Sequence, residues 1–158
     1  MTRQYMNVRL SYEAKYCIEK IQTKIQNELD LAISANDLDE IEQLTRNYLI
    51  NKDPILSSVS ITNILKVSSS SIVEEACNFT WNYSLKDWEH IEIKMNNYIF
   101  KENLDVGTLT PRLYLDEKTQ QRIQEYQKTF MKDSMVRVVK NSYVIKLIVF
   151  AYFLHIFK

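Results

Sequence analysis

The chain has 158 residues, of which 46% are hydrophobic and 25% are charged, a composition typical of one folded domain or two very small ones. One glycine and two prolines leave few residues for tight turns, which disfavours sandwiches and barrels and excludes glycine-rich phosphate-binding loops. Twenty basic residues balance twenty acidic ones, so the net charge argues against non-specific binding of polyanions.

The cysteines and histidines are too few and too scattered to predict a disulfide framework or a metal site. Cys17 and Cys77 lie sixty positions apart, and no CxxC motif or histidine pair at ligand spacing accompanies them. The first residues alternate polar and apolar side chains and lack the apolar core of a signal peptide. We therefore expect two buried, reduced thiols, a cytoplasmic protein, no metal and no cofactor.

The chain contains an internal repeat, in which residues 5–25 match residues 110–130 at an offset of 105. Alternating apolar residues predict a short strand in each copy, a helix N-cap follows, and an apolar stripe at spacings of three and four then predicts an amphipathic helix. The matched strand and cap positions are Val8 with Leu113, Leu10 with Leu115, and Ser11 with Asp116.

A second pair of segments, residues 66–83 and 137–154, matches at an offset of 71. Each begins with a basic residue, a valine and a run of Ser or Asn that can cap a helix, which predicts helices over 71–83 and 141–157. Each copy of the repeat therefore consists of one strand and two helices. The first copy holds about 34 additional residues between its helices, as the fall of the offset from 105 to 71 shows.

The repeat divides the chain into three predicted parts. Residues 1–83 form the first copy, with an acidic helical hairpin inserted at about 27–60. Residues 84–107 form a connecting helix and linker, opened by a capping box between Ser84 and Asp87. Residues 108–158 form the second copy.

The most apolar segment of the chain is its last one, Tyr143–Phe157. Its fifteen residues include Lys146 and His155 and fall short of the roughly 20 residues that span a bilayer. We expect a buried core helix packed on the helix at 71–83, with a membrane tail anchor as the alternative.

Two strand–helix–helix copies in one chain resemble the ribbon-helix-helix family of DNA-binding proteins, in which two short strands pair into a ribbon that enters the major groove. The order of polar and apolar residues in Asn7-Val8-Arg9-Leu10 matches the reading strand of the Arc-type repressors. The resemblance implies a mainly α-helical fold with one two-stranded antiparallel β-ribbon, formed by a tandem pseudo-dimer similar to the accessory proteins of conjugative DNA transfer. In this arrangement Val8 and Leu10 pair with Leu113 and Leu115.

The outward face of such a ribbon would read base edges, because Arg and Asn recognise guanine and adenine through paired hydrogen bonds. Pro111 falls within the second strand, where it removes one ladder donor. The predicted base-reading residues are Tyr5, Asn7 and Arg9 in the first strand and Thr110, Arg112 and Tyr114 in the second.

The family resemblance also implies phosphate contacts at the beginning of each second helix, where unpaired N–H groups and a partial positive charge attract anions. These contacts position the protein without specifying a sequence. The predicted phosphate-binding residues are Lys66, Ser69, Ser70 and Ser71 in the first copy and Arg137, Lys140, Asn141 and Ser142 in the second.

Positive charge is concentrated in the two segments that contain the predicted strands, and negative charge in the segments between them. Residues 1–26 hold five basic and two acidic residues and residues 108–158 hold nine and four, giving net charges of +3 and +5. The intervening segments, 27–64 and 65–107, carry net charges of −5 and −3. A dipolar molecule of this kind can bind DNA on one face.

The sequence therefore predicts a sequence-specific binder of double-stranded DNA, either a transcriptional repressor, an accessory factor of a plasmid relaxosome or a partition protein. The acidic insertion is a candidate contact for a relaxase or another DNA-processing protein. No hydrolase, P-loop or dinucleotide motif is present, so we expect neither an enzyme nor a small-molecule substrate. The alternative is an all-helical protein that uses its apolar last helix to bind another protein or a membrane.

Overall fold

The computed structural model describes residues 2–101 and 103–158, and this part of the chain is mainly helical with one two-stranded antiparallel sheet. A 3₁₀ helix, Pro54–Ser58, follows the second α-helix. The elements in chain order are β1 (Arg3–Asn7), α1 (Tyr12–Ala32), α2 (Ala35–Lys52), α3 (Ser69–Phe79), α4 (Leu85–Asn97), β2 (Arg112–Asp116), α5 (Glu117–Thr129) and α6 (Asn141–Ile156).

The chain divides into two compact units. Unit 1 comprises Met1–Thr23 and Ser68–Lys158, and it contains the ribbon, α3, α4, α5, α6 and the first half of α1. Unit 2 comprises Lys24–Val67, which holds the rest of α1, α2 and the 3₁₀ helix. Gln26 joins the two ends of unit 2, since its side-chain Oε1 accepts from the N–H of Val67 at 2.8 Å and its Nε2 donates to the carbonyl of Leu65 at 3.1 Å.

The ribbon forms, but its register differs from the sequence-based prediction. Met6 pairs with Leu113 and Gln4 pairs with Leu115. Gln4 and Met6 therefore occupy the places expected for Val8 and Leu10, respectively. The predicted pairing is therefore wrong by four residues in the first strand. Its cause is a linker, residues 8–11, which separates β1 from α1, whereas β2 continues directly into α5.

The offset of 105 holds for the helices, because α1 begins at Tyr12 and α5 at Glu117. Both predicted caps are confirmed. The hydroxyl of Ser11 accepts from the N–H of Ala14 at 3.2 Å, and the carboxylate of Asp116 accepts from the N–H of Thr119 at 2.7 Å. These caps satisfy helix N–H groups that have no partner within the helix.

Pro111 lies immediately before β2, not within it as the sequence predicts. β2 begins at Arg112, and a residue without an N–H cannot donate a ladder hydrogen bond. In β2 exposed residues alternate with Leu113 and Leu115, which are completely buried, so one face of the ribbon rests on the core and the other remains free.

The core of unit 1 is built around α6, whose bounds match the predicted helix to within one residue. Eight residues of α6 are buried, and the helix packs against α3, α4 and α5. The ring of Phe79 in α3 lies 5.6 Å from that of Tyr152 in α6, which confirms the predicted contact between the two second helices. None of the described helices combines the length and the apolar character needed to cross a bilayer.

Other elements follow the sequence pattern closely. The capping box of Ser84 with Asp87 opens α4, and the buried face of that helix includes Trp88 and Ile91. Helix α3 begins at Ser69, before the predicted start at 71, because the serine that caps it is Ser68; it ends at Phe79, before the predicted end at 83, and a turn follows. Both cysteines are free and buried, as expected.

In unit 2 an acidic helix forms where the sequence predicts one, ending just before Pro54. Its capping box joins Ser34 to Asp37. No residue of α2 is buried, and Leu44 and Tyr48 are 70% and 65% exposed. Leu44 and Tyr48 on the apolar side of this helix are therefore exposed, whereas Leu38 and Ile41 are half-buried.

Candidate nucleic-acid interface

The free face of the ribbon carries three pairs of directly opposed residues. Arg3 faces Asp116, Tyr5 faces Tyr114, and Asn7 faces Arg112. Opposed residues in an antiparallel pair point to the same side of the sheet, and here that side is the one away from the buried leucines. Four of the six predicted base-reading residues thus share one exposed surface: Tyr5, Asn7, Arg112 and Tyr114.

A pair of aromatic rings in tilted contact occupies the centre of this face. The ring centroids of Tyr5 and Tyr114 are 4.7 Å apart, and the two side chains are 57% and 42% exposed. The guanidinium of Arg112 lies 4.0 Å above the Tyr5 ring, and that of Arg3 lies 6.0 Å from the Tyr114 ring. Contact with these two rings limits the freedom of the guanidinium groups before any ligand binds.

The two arginines differ in their other contacts. Arg3 forms an ion pair with Glu74 of α3, with Nη1 2.7 Å from Oε1 and Nη2 3.1 Å from Oε2. Arg112 forms no ion pair with any of the described residues. Its guanidinium donors are therefore available to a ligand at the end of the ribbon that also carries Asn7.

The opposite end of the ribbon is anchored to α3. Along the outer edge of β2, the N–H of Tyr114 donates to the hydroxyl of Ser70 at 2.8 Å, and the N–H of Asp116 donates to Glu74 at 2.9 Å. Burial raises the pKa of Asp116, but the hydrogen bonds from Thr119 and the charge of Arg3 outweigh it, so the pKa is lowered overall. This edge is covered by the protein itself.

Arg9 and Thr110, the other two predicted base-reading residues, lie outside the strands, so their predicted place within the ribbon is wrong. Arg9 is in the linker after β1, and Thr110 is in the bend before Pro111; both are exposed. The N–H of Leu10 donates to the carbonyl of Leu109 at 2.7 Å, which holds the two segments together beyond the ribbon. Arg9 and Thr110 thus flank its Asn7–Arg112 end.

Sequence reasoning missed Arg3. The signal was present, because Arg3, Tyr5 and Asn7 alternate and must share a face of any strand that contains them. Extending the strand to Leu10 instead placed its centre four residues too far along the chain.

The serines at the start of α3 are engaged within the protein. Ser68 and Ser71 form a reciprocal capping box, and the Ser70 hydroxyl accepts from β2. The Ser69 hydroxyl lies 3.5 Å from Oε1 of Gln22. The predicted phosphate clamp at Ser69, Ser70 and Ser71 therefore retains few free hydroxyl donors.

The start of α6 is different. Lys140 occupies the N-cap position, no side chain caps the helix, and both Arg137 and Lys140 are exposed. Ser142 is half-buried, while Oδ1 of Asn141 is buried without a hydrogen-bond partner. An uncapped helix start beside two basic side chains suits an anion better than a helix start capped by its own serine.

The segment before α6 is held in place by Gln127 of α5. The backbone carbonyl of Gln127 accepts from the N–H of Val139 at 3.2 Å, and its side-chain Nε2 donates to the carbonyl of Val139 at 2.8 Å. Lys66, the remaining predicted phosphate ligand, is exposed and belongs to unit 2.

The described residues contain no group of three or more side chains that could hold a metal ion. Comparison of the chain with protein-family models, curated proteins and solved structures finds no match. The functional interpretation therefore depends on the geometry of the ribbon and its surroundings.

Proposed function

We propose that the protein binds double-stranded DNA in a sequence-specific manner by placing the free face of its ribbon in the major groove. The observation that carries this proposal is the direct opposition of Asn7 and Arg112 at one exposed end of that face. Asn and Arg have the donor and acceptor geometry that recognises adenine and guanine in the major groove. A two-stranded ribbon has the width that this groove admits.

We further propose that the ribbon belongs to a tandem ribbon-helix-helix pseudo-dimer. Each half contributes one strand and two helices to unit 1, namely β1, α1 and α3 in one half and β2, α5 and α6 in the other. The opposed tyrosines at the centre of the ribbon support an approximate two-fold relation between the halves. Unit 2 is then the insertion within the first half, with its helices forming a hairpin.

Phosphate contacts complete the proposed interface. The start of α6, with Arg137, Lys140 and the N–H groups of the first helical turn, is the favoured clamp because no side chain caps it. The start of α3 contributes through backbone groups, since its serine hydroxyls have internal partners. These contacts fix the orientation of the ribbon on the duplex.

Such a protein could serve as a repressor, a relaxosome accessory factor or a partition protein. Unit 2 would supply the partner contact, with its net negative charge and the exposed Leu44 and Tyr48 of α2 turned to a relaxase or another DNA-processing protein. No cofactor and no small-molecule substrate enter this proposal.

The proposal is tested by measuring binding to a random-sequence duplex pool as salt is varied, followed by selection of the preferred sequence. We expect affinity to fall with salt, because phosphate neutralisation releases counterions. Arg112→Ala should abolish the selected preference, whereas Lys94→Ala, which removes one exposed positive charge from α4, should preserve it. Absence of duplex binding by the wild-type protein at low salt would exclude the proposal.

The second candidate function is protein binding without DNA, and the exposed side chains of Leu44 and Tyr48 in α2 favour it. The apolar last helix is a weaker candidate for such binding, because eight of its apolar side chains are already buried in unit 1. Substituting Leu44 with Asp would disrupt a protein contact through α2 and leave duplex binding unchanged. Measuring both the protein contact and duplex binding of this variant separates the two functions.

A further inference from the structure

We propose that the ribbon reads DNA with only one of its two ends, and that Glu74 determines this asymmetry by masking Arg3. This inference rests on the proposed DNA binding and adds a specificity-determining residue that does not itself contact a base. It follows from two arginines that occupy equivalent places in the ribbon and have opposite electrostatic surroundings.

The equivalence of the two arginines comes from the strand register. Arg3 lies two residues before Tyr5, and Arg112 lies two residues before Tyr114, the tyrosine that Tyr5 faces. Each guanidinium is placed over the tyrosine of the other strand. A symmetric ribbon would therefore present both arginines to the groove in the same way.

Glu74 removes Arg3 from this role. A guanine contact requires two N–H groups of one guanidinium, and both terminal nitrogens of Arg3 are within 3.1 Å of the Glu74 carboxylate. Nη1 also donates to the carbonyl of Tyr114 at 3.2 Å. The carboxylate adds a negative charge beside the groove, which disfavours the approach of phosphates and of base acceptors.

The carboxylate of Glu74 is itself held in place. Its side chain is 12% exposed, and Oε1 accepts the N–H of Asp116 at 2.9 Å in addition to the bond from Arg3. A group fixed by a backbone donor cannot move aside without leaving that donor unpaired. The mask is therefore part of the anchoring of β2 to α3.

None of the described residues masks Arg112 in this way at the other end. At the offset of 71, the residue of α6 that matches Glu74 is Ile145, an apolar residue where the first helix has an acid. Arg112 has no ion pair among the described residues, and Asn7 lies opposite it. We therefore expect a short, non-palindromic site whose specified bases lie against the Asn7–Arg112 end.

The first test compares the equivalent substitutions Arg3→Ala and Arg112→Ala in the full chain, using duplex affinity and selected sequence as readouts. Arg3→Ala should preserve the selected sequence and keep affinity within about twofold, whereas Arg112→Ala should weaken binding about tenfold or more and relax one base position. Equal losses for the two variants, or a changed sequence preference in Arg3→Ala, would overturn the inference.

The second test removes the mask. Glu74→Gln keeps an oxygen for the N–H of Asp116 but loses the charge, and it should add a guanine preference at one further position. That gain should disappear when Arg3→Ala is added. Glu75→Gln is the matched control, since it removes the same charge from the adjacent, exposed position and should leave the selected sequence unchanged.

The outcomes separate the inference from the proposed function. If the wild-type chain binds duplex DNA and Glu74→Gln behaves as Glu75→Gln does, the inference is wrong while DNA binding stands. If the wild-type chain binds no duplex at low salt, the proposed function fails and the inference fails with it.

Discussion

Tyr5 stands directly opposite Tyr114 at the midpoint of the ribbon, and their ring centroids are 4.7 Å apart. The N–H of Tyr114 points away from the partner strand to Ser70, so the two tyrosines form a pair without ladder hydrogen bonds, the kind in which side chains approach most closely. The guanidinium of Arg112 lies over the Tyr5 ring and that of Arg3 lies over the Tyr114 ring. The tyrosines at the centre of the ribbon thus serve to position the two arginines.

This relationship predicts that Tyr5 acts through its ring. Tyr5→Ala should weaken duplex binding by about 0.5–1 kcal/mol, because the Arg112 guanidinium loses the face on which it stacks. Tyr5→Phe retains the ring and should bind within error of the wild type. If the phenylalanine variant loses as much affinity as the alanine variant, the hydroxyl and not the stacking is what matters.

The proposed base contacts and the proposed phosphate contacts should respond differently to substitution. Asn7→Ala and Arg112→Ala should each cost about 1–3 kcal/mol on the preferred site and relax preference at one base position. Lys140→Ala should weaken all sequences alike and reduce the slope of log affinity against log salt by about one unit. Competition assays with mismatched duplexes distinguish the two effects, and uniform losses for all three variants would mean that the ribbon is only a basic patch.

The core beneath the ribbon predicts the effect of Leu113→Ala. Leu113 is completely buried, so its truncation should lower the free energy of unfolding by about 2–5 kcal/mol. Leu85→Ala is the control, because Leu85 is 62% exposed and its loss should change stability by less than about 0.5 kcal/mol. Urea denaturation of the two variants measures both changes in the free energy of unfolding. Similar changes for the two variants would mean that Leu113 does not contribute to the core.

The helices of the repeat could be predicted from the sequence because their signals are local. Ser11 and Asp116 cap their helices as the alignment indicates, and Ser84 with Asp87 opens α4. The strand register could not be predicted in this way, because a constant offset between the two copies implies equal spacing between strand and helix in both. Residues 8–11 extend the first spacing, and β1 ends at Asn7.

The pairing of Arg3 with Glu74 had no sequence signal at all. The two residues are 71 positions apart, and their contact depends on how α3 lies along the edge of β2. The strand pattern identified candidate base readers by residue type, but the availability of each guanidinium is a tertiary property. Arg3 itself was missed because the first strand was predicted four residues too far along the chain, but its engagement by Glu74 could not be predicted from either strand.

The burial of the two cysteines predicts that both thiols are unreactive in the folded protein. Burial raises the pKa of Cys77 to about 11, against a smaller opposing effect of Arg122, and burial together with Glu13 raises the pKa of Cys17 further. The thiolate is the reactive form, so at about pH 8 we expect no labelling by a disulfide reagent before unfolding. Two thiols per chain should react in denaturant, and rapid labelling of the native protein would contradict the burial of these residues.

The cap of α5 predicts a pH dependence of stability that can be assigned to one carboxyl group. The pKa of Asp116 is lowered below its usual 3.8, because the hydrogen bonds from Thr119 and the charge of Arg3 outweigh the effect of burial. A carboxyl group with a lowered pKa stabilises the fold above its unfolded pKa, and that stabilisation is lost as the pH falls through the folded value. Asp37 and Asp87 have lowered pKa values for similar reasons, since their capping serines donate to them, so the wild type alone cannot isolate Asp116.

We therefore compare the wild type with Asp116→Asn, in which the cap oxygen is retained and the charge is removed. The wild type should be the more stable at about pH 6, where its carboxylate is charged, and the difference in unfolding free energy should shrink as the pH falls toward about 2 and Asp116 becomes protonated. Asp133→Asn removes a charge from an exposed position that caps no α-helix, and it should show no comparable convergence. A difference for Asp116→Asn that stays constant between these pH values would mean that the charge of Asp116 does not stabilise the junction between β2 and α5.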